Sequence, residues 1–193
     1  MKCLFLFKKL LWTLILVGLL FLLLFQANPV KASSWYNYSW GYRQKITISS
    51  SNVSANLTDF PVYVNLADMN TGFTANAKAD RSDVVVTASD GVTKLDREIV
   101  NNSGNYDELW FKAPSLSSTS NNEFYIYYGN AAASETNDTG VWSNGYILRY
   151  SFDDDPSASS AKDSTANGYD GVFQNMNSSN SIAGKIGNAL SFD

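Results

Sequence analysis

The chain has 193 residues, a formal charge of −4, 11 Tyr, 11 Phe and 5 Trp, no histidine, and a single cysteine, Cys3. The missing histidine removes the commonest general base, the Ser–His–Asp triad and any zinc site built on Cys or His, and one cysteine near the start leaves no internal disulfide. Four of the 14 basic residues (Lys2, Lys8, Lys9, Lys31) precede residue 33 and all 18 acids follow it. The remainder therefore carries ten bases against 18 acids, a charge of −8, which disfavours nucleic acid and anionic membrane surfaces as partners.

The first element is a leader. Lys2, Lys8 and Lys9 precede the uncharged run Leu10 to Phe25, Asn28-Pro29 breaks it, and Val30-Lys31-Ala32 follows. A basic start, an apolar run and small residues at the cut predict a hydrophobic signal helix over 1–32, cleaved between Ala32 and Ser33. The other reading is an uncleaved anchor, for which this run is short against the about 20 residues a span needs. Cys3 lies before the apolar run and so is not a lipid-attachment cysteine after it. Either way residues 33 onward are expected outside the cytoplasm, secreted or at the cell surface, with the membrane as partner only through an uncleaved leader.

Strands follow. Trp40, Tyr42, Ile46 and Ile48 alternate with Arg43, Lys45 and Thr47, the period of a half-buried strand. Phe60, Val62, Val64 and Leu66 oppose Pro61, Tyr63 and Asn65; Pro61 cannot donate to a ladder, so this strand starts there or runs along an edge. Asp83 to Ala88 is rich in valine and ends at the turn dipeptide Asp90-Gly91, with Lys94 to Val100 as the return strand. Leu109 and Phe111 oppose Trp110 and Lys112. Phe124, Ile126 and Tyr128 oppose Tyr125 and Tyr127, ahead of Gly129-Asn130. Helical spacing is weak, and Asn130 to Thr136, with three alanines, is the one stretch that could hold a short helix. Six short strands joined by turns predict an all-β, antiparallel β-sandwich, jelly-roll-like, over 33–142.

A second block covers 143–193. Tyr146, Leu148, Tyr150 and Phe152 alternate with Ile147, Arg149 and Ser151, predicting a strand, and Ala189 to Phe192 predicts another that runs into Asp193. So few short strands cannot easily close a core; the block reads as the incomplete start of a second β-sandwich.

Several of these segments together resemble a known pair of exported modules. Tyr42-Arg43-Gln44-Lys45-Ile46-Thr47-Ile48, Asp59-Phe60-Pro61-Val62, Asp83-Val84-Val85-Val86 with Asp90-Gly91, Glu98-Ile99, Leu109-Trp110-Phe111-Lys112-Ala113-Pro114 and Tyr125-Ile126-Tyr127-Tyr128-Gly129-Asn130 are similar to a prokaryotic exported domain of unknown function. Arg97 departs from that pattern, which has an aromatic or proline before Glu98, and blurs the inner face of its strand. Tyr150-Ser151-Phe152-Asp153, Asp163 to Gly168, Asp170-Gly171 and Gly184 to Asp193 are similar to the opening of a concanavalin A-like, laminin-G-like lectin sandwich. The resemblance implies a surface module with a lectin-like neighbour. It carries over no ligand position.

The candidate chemistry is sparse. Asp96 and Glu98, two apart on one strand, point to one face about 6.6–7 Å apart, within the about 5–9.5 Å separation that glycosidases use; the alternative is a solvated face. Asp153 and Asp155, in an Asp-rich run near Asp163, offer the hard oxygens Ca²⁺ prefers, against a plain solvated turn; no other cofactor is expected. Trp110, Tyr125 and Tyr127, opposite the core-facing residues, form a candidate platform for stacking sugar rings, or else pack under loops or against the second block. Arg43 is expected to pair with Glu98 or Asp83. Asn-x-Ser/Thr triplets at Asn37, Asn52, Asn56, Asn101, Asn137 and Asn177 are glycosylation acceptors by pattern, though chance yields many in so Asn- and Ser-rich a chain. The expected function is non-catalytic: contact with an extracellular glycan or cell-surface polymer, with a structural spacer and a fragment of a polysaccharide-active enzyme as alternatives.

Overall fold

Six of the alternating segments are strands in the computed structural model, which describes residues 34–102, 105–158 and 160–192. They are β1 (Tyr42–Ile48), β2 (Leu57–Asn65), β3 (Val85–Thr87), β4 (Arg97–Asn102), β5 (Asn105–Leu116) and β6 (Asn122–Tyr128). The leader and its Ala32–Ser33 cut lie outside the described residues. No helix among the described residues is long and apolar enough to cross a membrane.

The strands form two three-stranded antiparallel sheets, ordered β1-β6-β3 and β2-β5-β4. Alternation sends one side chain of each pair inward. Ile46, Phe124, Ile126 and Val86 from the first sheet meet Val62, Leu109, Phe111 and Ile99 from the second in one core. Phe111 and Phe124 touch edge to face across it, centroids 4.9 Å apart, a favoured aromatic geometry. Pro61 sits on β2, at the edge of its sheet, where a missing N–H breaks no ladder.

The return strand divides at a corner. Lys94 bridges Thr87 and Leu95 N donates to Val86 O (2.9 Å) in the first sheet; from Arg97 the chain belongs to the second. Arg97 keeps its inward register and is 2 % exposed. Its Nε donates to Val84 O (3.0 Å) and its Nη1 to Asn137 Oδ1 (3.0 Å), and burial holds its pKa below the ordinary value.

The short helix is not at Asn130–Thr136. Residues 133–138 run extended beside the corner and the exposed edge of β4. Glu135 N donates to Ser82 O (2.8 Å) and Asp138 N to Arg97 O (2.9 Å). The Asn137 amide accepts from Ile99 N and donates to Ile99 O, both at 2.8 Å. Unmade backbone bonds on an edge strand outcompete a one-turn alanine helix, which is marginal in water. The helix that does form, α1 (Thr71–Asn76), is capped by the Asn70 side chain on Phe73 N (3.0 Å) and buries Phe73 against Tyr128, 4.9 Å between centroids.

After residue 142 regular structure is scarce. Two small ladders form, β7 (Ser160–Ala161) with β8 (Gly171–Val172), and β9 (Ser181–Ala183) with β10 (Asn188–Leu190). The strand expected over Tyr146–Phe152 is reduced to one bridge, Tyr150 to Asp163. Among the described residues no strand forms a ladder with it, and Ile147 is left 72 % exposed.

Candidate functional site

Trp110, Tyr125 and Tyr127 all point away from the core, but on opposite sides of the sandwich: Trp110 on β5 and the two tyrosines on β6. They do not converge on one platform. Two inner-facing sets on two sheets necessarily give two outer faces. Tyr127 is fully buried and its hydroxyl donates to Gly91 O (2.8 Å). Arg43 lies 4.5 Å from the centre of Tyr125 and its Nη1 donates to the Tyr127 hydroxyl (2.9 Å). Asp83, its expected partner, accepts from the backbone N–H of Lys78 (3.0 Å) and Gly129 (2.7 Å). Glu98 belongs to the other sheet.

Glu98 does bind an arginine, supplied from further along the chain. Glu98 on β4 and Glu108 on β5 are diagonal neighbours on the outer face, since Glu98 opposes Trp110 and Val100 opposes Glu108. Both are buried. Like charges so placed on a sheet repel, and burial raises the cost unless a cation and hydrogen bonds answer them. Arg149 supplies the cation: its Nη1 lies 3.2 Å from Glu98 Oε1 and its Nη2 3.1 Å from Glu108 Oε1. A planar fork can hold two carboxylates at once, which an ammonium does less well. Ser164 Oγ (2.6 Å) and Trp142 Nε1 (2.6 Å) also donate to Glu98, and Trp110 Nε1 (2.7 Å) and Asn102 Nδ2 (3.2 Å) to Glu108. Each carboxylate oxygen is engaged, so the cluster is built to hold rather than to exchange protons.

Arg149 is itself fixed by the turn that follows. The Asp163 carboxylate accepts from the backbone N–H groups of Arg149 (3.1 Å), Thr165 (2.9 Å) and Tyr169 (2.9 Å), and from the Thr165 hydroxyl (2.8 Å). Burial alone would raise its pKa; these donors overcome that and hold it down to about 2. Ser164 N donates to Arg149 O (2.8 Å) while its hydroxyl reaches Glu98.

A row of rings crosses the same face. Tyr63, Trp110, Trp142 and Tyr146 follow one another at 5.2 Å between successive centroids, inclined by 45°, 54° and 74°. Rings so inclined pack on one another instead of offering one flat surface. Trp142, from the 3₁₀ turn Thr139–Trp142, is 4 % exposed, whereas Tyr146 at the end of the row is 41 % exposed. Arg149 lies 4.8 Å from the Trp142 ring, a cation–π contact. The turn can lie this close because a Cβ on Gly140 would strike the Asp96 carboxylate.

Asp96 pairs with Lys112 (2.7 Å) and shares no ligand with Glu98. Asp153 accepts from the Ser151 hydroxyl, and Asp155 from Ser157 N (2.9 Å) and Ser178 Oγ (3.4 Å). Among the described residues no group of three or more Asp, Glu, His or Cys side chains could hold a metal ion. Trp142 and Arg149 are the residues that strand patterning missed. The signal for Trp142 was an apolar pair, Val141-Trp142, isolated in a polar stretch; Arg149 looked like an ordinary outward residue of a strand.

Residues 80–172 match the family model described as Domain of unknown function (DUF2341). The matched stretch begins before β3, ends with β8 and contains Glu98, Glu108, Trp142, Arg149 and Ser164. No curated protein and no solved structure matches the chain.

Proposed function

We propose that the chain is an exported, non-catalytic β-sandwich module that works by contact at the cell surface, and that its sandwich seats the following segment in one orientation. The single observation that carries this reading is the Glu98–Arg149–Glu108 clamp. Two buried acids on one sheet meet an arginine from the tail, and the ion pairs are 3.2 and 3.1 Å long. Of the two acids whose spacing suggested hydrolysis, Glu98 is held in this joint and Asp96 pairs with Lys112 instead. The leader pattern supports export.

Limited trypsin digestion of residues 33–193 tests it. Lys162 directly follows β7, which is held in a ladder with β8, so cutting there requires this part of the tail to open. Wild-type protein should resist at Lys162, and an Arg149→Met variant should be cut there while the sandwich stays intact. Equal cutting of both proteins at Lys162 would remove the seating reading.

A second reading, glycan contact, is favoured by Tyr146 at the open end of the ring row and by Tyr63 at the other. The Tyr63 hydroxyl has its pKa raised by burial and by Glu108, Asp68 and Asp107. It stays a donor, as a sugar hydroxyl requires. Retardation in polysaccharide affinity gels, lost in Tyr146→Ala and Tyr63→Ala, is the expected result; no retardation by any surface polysaccharide would end this second reading.

A further inference from the structure

The outer face of β1-β6-β3 is covered by the first described residues of the chain itself. Arg43 Nη1 donates to Ser34 O (3.0 Å). Trp35 meets Tyr127 edge-on at 5.3 Å, and its Nε1 donates to Trp40 O (2.9 Å). Trp40 Nε1 donates to Asp83 O (2.6 Å), and Tyr36 packs on both Trp40 (5.3 Å) and Tyr127 (5.8 Å). The Arg43 guanidinium lies 4.8 Å from the Trp35 ring. Trp40, Val85, Tyr127 and Ala133 form a buried cluster of their own here, separate from the sandwich core.

In sequence, Ser34, Trp35 and Tyr36 are the second, third and fourth residues after the Ala32–Ser33 bond that the leader pattern marks for cutting. Peptide-binding clefts commonly take extended chain, with backbone groups bonded to the cleft and side chains in its pockets. Residues 34–36 cannot lie in such a cleft and in this cover at once.

We infer that leader removal and closure of this cover compete for residues 34–36. The leader is cut fast before the cover closes and slowly afterwards, so a chain that folds first holds its leader, and its membrane attachment, for longer. This rests on the export reading above. All-β domains fold in milliseconds to seconds, so the contest is a real branch between a released and an anchored form. After closure, cutting follows the small population of opened cover.

The test uses full-length precursor folded in detergent micelles and treated with purified signal peptidase, with products read by mass spectrometry. Beside it run a peptide of residues 10–40, which keeps the bond but lacks Arg43 and Tyr127, and a precursor with Gly-Ser-Gly-Ser inserted between Ser33 and Ser34. The peptide and the spacer precursor should be cut at Ala32–Ser33 at similar rates, and the folded wild type at least about tenfold more slowly. Arg43→Ala should move the folded precursor several-fold toward the spacer rate. Equal rates for the wild-type and spacer precursors overturn the inference and leave the leader reading standing. A peptide left uncut at that bond overturns both.

Discussion

The sandwich, residues 34–142, and the tail, residues 143–192, carry the same kinds of residues and use them differently. Among the described residues, Ala161 and Pro156 are the buried apolar side chains after residue 142, while eight of the twelve exposed large hydrophobics lie there. The sandwich is held by two apolar sheet faces pressed together. The tail is held by polar contacts: the Arg149 clamp, the Asp163 turn and the buried Thr165 hydroxyl on Asp163. Its apolar side chains instead line an open groove of about 470 Å³ formed by Tyr150, Phe152, Val172, Leu190 and Phe192, among others. Alternation makes a strand only where a second apolar face waits to receive it. The tail shows what the same pattern does without one: short ladders, fixed by side-chain hydrogen bonds and one buried arginine.

This contrast predicts that core truncations unfold the sandwich, whereas polar substitutions release the tail. The largest effect should come from Phe111→Ala, which empties a fully buried site between the sheets. About 3–5 kcal/mol should be lost in urea denaturation, and a loss below about 1 kcal/mol would break the assignment of a single packed core. Next is Arg149→Met. Leaving buried carboxylates without their cation costs about 3–5 kcal/mol when nothing can move, and that is a ceiling here, because the tail can lift and let water in. Hydrogen exchange should show protection lost around 149–165 and kept at Leu109 and Ile126; loss throughout would show that tail and sandwich unfold as one.

Smaller and more local is Gly187→Ala. Gly187 has φ +60°, in the left-handed region, and a Cβ there would meet Glu108 Oε2 and the Asn102 amide. About 1 kcal/mol or more is expected from the backbone alone, confined to the β9–β10 hairpin and visible as local exchange with an unchanged urea midpoint for the sandwich. A dropped midpoint would place that hairpin within the sandwich's cooperative unit.

The smallest effect is acid loosening of the Asp163 turn. Its folded pKa, about 2, lies below the ordinary 3.8, so the stabilisation is complete above about pH 4 and fades as pH falls toward 2. Asp154, whose pKa is raised by burial, acts in the opposite sense over the same acid range. Amide shifts of Thr165 and Tyr169 should titrate in this window while those of the sandwich core stay constant; Asp163→Asn should abolish the titration.

Much of the sandwich was legible in the residues. Leu109 and Phe111 against Trp110, and Phe124 and Ile126 against Tyr125 and Tyr127, gave the inner faces directly, because a period of two fixes which side chains share a face. Pro61 allowed either a strand start or an edge position; β2 begins earlier, at Leu57, and lies on the edge. Gly129, ending the aromatic strand, has φ +83° and a Tyr42 ring atom 2.5 Å from where a Cβ would sit, so the Gly-Asn signal marked a real constraint. The helix was misplaced because propensity counts alanines, while the fold weighed an open edge at β4 against a capped turn that buries Phe73.

The clamp was only half legible. Glu98 as a partner for arginine was sound chemistry, but the arginine came from the tail, 51 residues on. Pairing across the chain depends on which outer face each residue reaches. That depends on sheet assignment, and alternation is silent about which strand joins which sheet. The same blindness put Trp110 beside Tyr125 and Tyr127 in one imagined platform.

By itself, then, the order of residues determined an all-β chain, six strands of the sandwich with most of their inward and outward faces, and the poverty of reactive side chains. The tertiary structure alone decided that the chain passes from the sheet of β3 to that of β5 at Asp96, that Asn137 guards the β4 edge, and that Arg149 sits between two acids. The reason is range: strand periodicity is a local property of the backbone, whereas burial, ion pairing and edge protection are set by neighbours that only the closed sandwich brings together.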